Sequence, residues 1–236
     1  MRNSLAHSTS ANREFTMSRL AYLLGAILGI GVILPSYAAD LAVPPRLGAA
    51  MPNKCRQFSF DPQASSPIRA VTLPPTGACT PVIKNGLPMP DPSCSPGAVN
   101  PTLTVAVLTA KGFTTDCVRD RATSANKKEI TYKWYKVPKP AHNTGQGQVC
   151  ELDHIISLEL GGADTLENIW PQCGPSRAVL NSRFFKQKDM VENFLADEVA
   201  TMRIDLADAQ RGIAQDWTQF LAAAKQAAAD KKKRKK

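Results

Sequence analysis

Histidine is scarce in this chain: its 236 residues hold three, at His7, His142 and His154, and none follows His154. No C-x-x-C occurs anywhere, which sets aside the zinc sites built from closely spaced cysteine pairs. The apolar stretch from Leu20 to Leu34 has fifteen residues, short of the roughly 20 that a membrane span needs. No internal repeat is found. A hydrophobic fraction of 43% serves one core and not a membrane bundle, and the length suits one domain of moderate size, with or without a poorly structured arm.

What is present begins with an export pattern. From Met17 the chain reads "MSRLAYLLGAILGIGVILPSYAAD". Arg19 is the basic flank, Pro35 ends the apolar stretch, and Ser36 and Ala38 are the small residues that precede signal cleavage. Residues 1–38 are therefore expected to be a signal peptide with an upstream extension, cut after Ala38; a membrane anchor is the alternative. The expected location is exported, periplasmic or secreted, with no stable membrane association after the signal is removed. Net charge is +9 for the whole chain and +7 without residues 1–38, and Lys231 to Lys236 carry +6 of it. The body is thus nearly neutral and the basicity is a tail, 230–236.

All six cysteines, Cys55, Cys79, Cys94, Cys117, Cys150 and Cys173, lie beyond the cut. An even count in an exported chain reads as disulfides, and the sequence does not choose among the fifteen connectivities. Pairing neighbours gives Cys55–Cys79, Cys94–Cys117 and Cys150–Cys173.

Residues 40–101 hold thirteen of the eighteen prolines, a density that strips amide donors and blocks helix and central strand alike. The expectation is an irregular arm, 39–101, pinned by Cys55, Cys79 and Cys94, serving as a spacer or as a wrap against substrate. "TLTVAVL" (102–108) suits a strand or a short buried helix. "EITYKWYKVP" (129–138) is rich in β-branched and aromatic residues and stops at Pro138. "GQVCELDHII" (147–156) reads as a strand, Gly161-Gly162 as a turn, and "LENIWP" as the return strand of a long-looped hairpin, ending at Pro171. A helix is expected over 176–200, with Leu180, Phe184, Val191 and Leu195 in one stripe. A second starts at an Asp205 N-cap and carries Leu206, Ile213, Trp217 and Leu221. Trp170 and Trp217 are candidate core residues.

Asp153 and His154 stand together at the end of the first hairpin strand. A carboxylate can hold a divalent cation, and the neighbouring imidazole can take a proton from water near neutral pH. Asn168, on the return strand, can fix the orientation of the histidine through the loop backbone. On a helix from Ser176, residues Asn181, Lys188 and Glu192 fall on one arc bordering the apolar stripe, with Asp189 beside it. Lys188 and Glu192 also have the i, i+4 spacing of an ion pair.

The stretch "ELDHIISLELGGADTLENIW" resembles the HNH endonuclease pattern, and most closely its bacterial branch with "DHLIPLELGG…NLWP…KD..E". Lys188-Asp189 and Glu192 reproduce the last part, "LADAQRGIAQDW" (206–217) is similar to that branch's final helix, and "CSPG" to its upstream part; the resemblance spans roughly residues 94–218. It implies an α+β fold with a ββα-metal (His-Me finger) core, here with an added C-terminal helix and a disulfide-pinned, proline-rich N-terminal arm, the nuclease domain covering 102–229. It implies one divalent cation (Mg²⁺, Mn²⁺ or Zn²⁺), His154 as the general base, Asp153 as a metal ligand, and Asn168 as the residue holding the loop that presents His154.

The chain departs from the pattern in its third letter, usually a histidine or asparagine from the following helix. Asn181 is the substitute in position, with Glu192 and Asp189 as further candidates for metal ligation. Ser157 stands where a proline is common. The expected activity is metal-dependent phosphodiester hydrolysis of DNA, and of RNA too, with low sequence specificity. Lys188 and the tail residues Lys231, Lys232, Lys233, Arg234, Lys235 and Lys236 are the candidate nucleic-acid contacts. A noncatalytic envelope protein that keeps the fold and binds nucleic acid or a partner is the alternative. A delivered toxin, a third possibility, would call for a neutralising partner protein.

Overall fold

In the computed structural model the described residues are 51–234. The signal segment, the first part of the arm (39–50), Lys235 and Lys236 lie outside them. The described chain is mixed α+β. Six short strands form three antiparallel pairs: β1 (Ser66–Pro67) with β4 (Ala98–Val99), β2 (Val82–Lys84) with β3 (Leu87–Met89), and β5 (Cys150–His154) with β6 (Ile169–Cys173). The α-helices are α1 (Val105–Leu108), α2 (Ser124–Trp134), α3 (Phe184–Ala200), α4 (Leu206–Asp216) and α5 (Leu221–Arg234).

The β5–β6 hairpin is in the register Cys150↔Cys173 to His154↔Ile169, and a disulfide joins its open end. The return strand runs two residues past Pro171, which a strand in a two-stranded sheet tolerates because one edge needs no donor.

The β-branched segment 129–138 is helical over most of its length. Ile130, Trp134 and the following Tyr135 pack with Trp170, Ile155 and the Cys79 and Cys94 sulfurs, and this burial outweighs local strand preference. The 102–108 segment gives only the short, unburied α1, capped by the Thr104 side chain.

The helix expected from Ser176 begins eight residues later. Gly174 has φ +93°, Arg183 is extended, and the Arg183 guanidinium donates to the carbonyls of Ala178 and Gln146, so 174–183 is an irregular loop. Leu180 therefore falls outside the stripe. Val191, Leu195 and Val199 join Ile156, Leu160, Ala209, Ile213, Trp217 and Leu221 in the main core.

Asp205 caps α4, accepting from Ala207 N at 2.8 Å. The helix does not continue through Trp217. Asp216 accepts from Thr218 N and restarts the chain as a 3-10 turn before α5. Phe220 then lies on α4, where a Cβ at Gly212 would come 2.7 Å from its ring.

Two disulfides differ from neighbour pairing. The bridges are Cys55–Cys117, Cys79–Cys94 and Cys150–Cys173; only the last follows chain order as expected. The arm is also no spacer over its described part. Ser95 Oγ donates to Ile169 O at 3.1 Å, and Gly97 N donates to Glu167 O at 2.9 Å. Ala163 N donates to Ala98 O at 2.9 Å, and Trp217 Nε1 to Pro88 O at 3.2 Å. Proline removes some donors, but the residues between the prolines keep theirs and spend them on the hairpin and its loop. The basic tail, as far as it is described, extends α5, and Lys231 pairs with Asp197 of α3. Among the described residues no helix is long and apolar enough to cross a membrane. The three disulfides are consistent with an oxidising compartment.

Candidate functional site

Successive strand residues point to opposite faces, and at the end of β5 this sends two adjacent side chains to two different helices. Asp153 faces α3, where Lys188 Nζ lies 3.0 Å from its Oδ2. His154 faces the other way, its Nε2 2.9 Å from Asp164 Oδ1, and Asp164 Oδ2 pairs with Lys127 of α2 at 2.8 Å.

The His154 side is held by a set of buried polar contacts. Asp164 also accepts from Asp120 N at 2.5 Å, and its backbone carbonyl accepts from Lys127 Nζ at 2.8 Å. Burial alone would raise the Asp164 pKa, but the His154 hydrogen bond and the His154 and Lys127 charges drive it well below the usual carboxylate range. Burial holds the His154 pKa below the ordinary imidazole value, against the pull of Asp164, and the nearby Arg119 charge adds to the lowering. A neutral His154 donates Nε2–H to Asp164 and leaves Nδ1, which has no hydrogen-bond partner among the described residues, free to accept a proton.

The Asp153 side is crowded with charge. Lys188, 1% exposed, donates to His154 O at 2.6 Å, pairs with Asp153 and makes a short contact with Glu192. Burial raises the pKa of Asp153, and Lys188 only partly offsets it. Burial pushes Glu192 up to about 8, again against Lys188, with the Asp153 charge adding to the rise. Lys188 is held more firmly protonated than a free lysine by the two carboxylates, although burial opposes its charge. It is therefore a buried structural cation and not a surface contact for phosphate.

Asn168 is fully buried and ties the intervening loop. Its Oδ1 accepts from Ile156 N at 2.9 Å and Ala98 N at 3.2 Å, and its Nδ2 donates to Ile156 O at 2.9 Å and Ala163 O at 2.8 Å. The loop turns back so tightly that a Cβ at Gly162 would sit 1.9 Å from Ile156 O, which is why the second glycine is needed.

Of the other candidates, Asp189 lines the same cavity as Asp153, His154 and Glu192, a space of about 180 Å³, and bonds Lys186 at 2.6 Å. Asn181 does not join them. It sits exposed on the 3-10 turn before α3, because the loop from Gly174 displaces it from the helix. Lys231 to Arg234 lie at the far end of α5 and line neither cavity beside His154. Sequence reasoning missed Asp164, Lys127 and Arg119. Asp164 carried one usable signal, a carboxylate inside the loop bracketed by His154 and Asn168; the other two are brought in from 119–127 by the fold alone.

The donor chemistry suits a hard divalent cation. Asp153, Asp189 and Glu192 line one cavity with their carboxylates, and the buried Asp153 Oδ2 has the Lys188 ammonium 3.0 Å away as its ion-pair partner. The positive group between Asp153 and Glu192 in the structure is the Lys188 ammonium. Among the described residues no group of three or more His, Cys, Asp or Glu side chains is gathered tightly enough to hold a metal as it stands. No family model, no curated protein and no solved structure matches this chain.

Proposed function

We propose that this chain is an exported, metal-dependent endonuclease of the HNH type, with β5, β6 and α3 as its ββα-metal core. It hydrolyses phosphodiester bonds of DNA, and of RNA by the same chemistry, with low sequence specificity. The observation that carries the reading is the His154–Asp164 pair at the end of β5, with Nδ1 left free beside a carboxylate-lined cavity. In that role His154 Nδ1 takes the proton of the attacking water. Asp164 holds the Nε2–H tautomer and stabilises the imidazolium that forms. Asn168 keeps the loop between them in register. Asp153, with Glu192 and Asp189, would hold the cation, which supplies charge stabilisation at the phosphate when bound.

The test is a nicking assay on supercoiled plasmid with oxidised protein comprising residues 39–236, in Mg²⁺, Mn²⁺ or Zn²⁺, with EDTA and His154→Ala as controls. Metal-dependent nicking lost in both controls is the expected result; a folded protein that nicks with no cation sinks the reading.

The position of Lys188 between Asp153 and Glu192 favours a second reading, a noncatalytic nucleic-acid- or partner-binding protein in which the ammonium replaces the metal for good. Calorimetric titration with Mn²⁺ separates the two. The nuclease should bind the ion, and Asp153→Asn should abolish binding; the noncatalytic protein should show no heat of binding at all.

A further inference from the structure

The end of β5 opens on two cavities with a shared wall. The larger, about 430 Å³, has a basic side made by Arg119, Lys127 and Lys128. The smaller, about 180 Å³, has the acidic side made by Asp153, Glu159, Asp189 and Glu192. Both are lined by His154, and Arg119 is the one cationic side chain, among the described residues, that lines both.

The Arg119 backbone is fixed on each side. Cys117 is bridged to Cys55, Arg119 N donates to Thr115 O at 3.0 Å, and Asp120 N is held by Asp164. Arg119 is exposed, and among the described residues its guanidinium makes neither an ion pair nor a hydrogen bond. Of the carboxylates near it, Glu159 lines the same cavity and two others are engaged. Asp116 takes Lys54 and Arg121, and Glu151 has Gln148 at 3.3 Å and Lys186 at 4.0 Å. Lys128, on the same basic wall, also makes no ion pair among the described residues. Lys127 differs, since Asp164 consumes its charge. A planar, permanently charged fork on a rigid loop, without a partner among the described residues and lining both cavities beside His154, suits two oxygens of one phosphate.

We propose that Arg119 is the phosphate clamp of this site, gripping the backbone phosphate of the DNA strand that lies over His154, while Lys128 takes a neighbouring phosphate. The proposal rests on the nuclease reading and moves the substrate contact from the terminal lysines to the 117–128 segment.

The experiment has two arms. In the first, His154→Ala protein is titrated against a short fluorescein-labelled DNA duplex at several salt concentrations, alone and combined with Arg119→Ala, Arg119→Lys or Lys128→Ala. Arg119→Ala should weaken binding about tenfold and reduce the salt slope by about one. Arg119→Lys should restore the slope but only part of the affinity, because a point charge cannot grip bidentately. Unchanged affinity and slope in Arg119→Ala overturn the clamp. In the second arm, with His154 intact, kcat/KM for plasmid should drop about a hundredfold in Arg119→Ala with the melting temperature unchanged. If wild type and Arg119→Ala cut equally well, the clamp is wrong and the nuclease stands. If wild type cuts with no cation while binding still depends on Arg119, the nuclease reading fails and the phosphate site stands.

Discussion

Lys127 and Lys188 are both buried, at 3% and 1% exposure, both on helices, and both bonded to a carboxylate beside the end of β5, yet the charge count around them differs. Lys127 pairs with the Asp164 carboxylate, which His154 also holds. That carboxylate is driven far into its ionised range, and the pair serves as a fixed support for the imidazole ring. Lys188 meets two carboxylates, Asp153 and Glu192, and both have their pKa values raised. A balanced pair is satisfied and stiff. An unbalanced triad still draws positive charge, either a proton on a carboxylate or a metal ion from solution. The two faces of one strand end thus separate orientation from cation supply.

The largest effect expected from breaking this contrast is in Lys188→Met, which leaves two buried carboxylates facing each other. It should cost about 4 kcal/mol in urea unfolding, and adding Glu192→Gln should recover part of the loss. Full additivity of the two changes would show that the triad is not a unit. Lys127→Met should cost less, about 2–3 kcal/mol, because Asp164 keeps His154 and Asp120 N. Equal losses would erase the distinction.

Asp164→Asn preserves the shape of the support and removes its charge. On the nuclease reading kcat should fall about a hundredfold with KM little changed, and stability in urea should fall by about 3 kcal/mol, because the buried Lys127 loses its carboxylate. A large KM change with kcat intact would mean that Asp164 touches substrate and does not orient His154.

The smallest effect concerns pH. Glu192 binds its proton more tightly folded than unfolded. In EDTA, therefore, its contribution is fully present below the ordinary carboxylate range and is lost as pH rises towards about 8. Melting temperature should decline across that window, and Glu192→Gln should flatten the decline. A rise of stability with pH in that window would refute the account of the triad.

The sequence exposes the hairpin well. Strand alternation, the Gly-Gly turn and the position of Asn168 lie in one stretch, and the local physics that shapes them is short-ranged. It also placed the Asp205 cap. It misjudged what depends on partners far along the chain. The 129–138 segment is helical because Trp170 and a disulfide cover it. The loop before α3 exists because Gly174 and the carbonyls bound by Arg183 hold it open, and that loop removed Asn181 from the arc computed for it. Lys188 was read as a contact for phosphate because its i, i+4 spacing to Glu192 gives no sign that Asp153 closes over it. Asp164, Lys127 and Arg119 come from segments with no motif; only the tertiary fold assembles them around His154.

The bridge from Cys55 to Cys117 encloses the one from Cys79 to Cys94. A chain delivered N-terminus first into an oxidising space shows Cys55 to Cys79 well before Cys117 arrives, so the first pair to form is the wrong one. Maturation then depends on thiol–disulfide exchange: a shuffling catalyst, and not merely an oxidant, sets the yield of active protein. Peptide mapping of thiol-trapped chains during N-terminus-first translocation should find Cys55–Cys79 early and see it vanish once an isomerase acts. Native pairs forming directly without exchange would show that the arm folds before its thiols react.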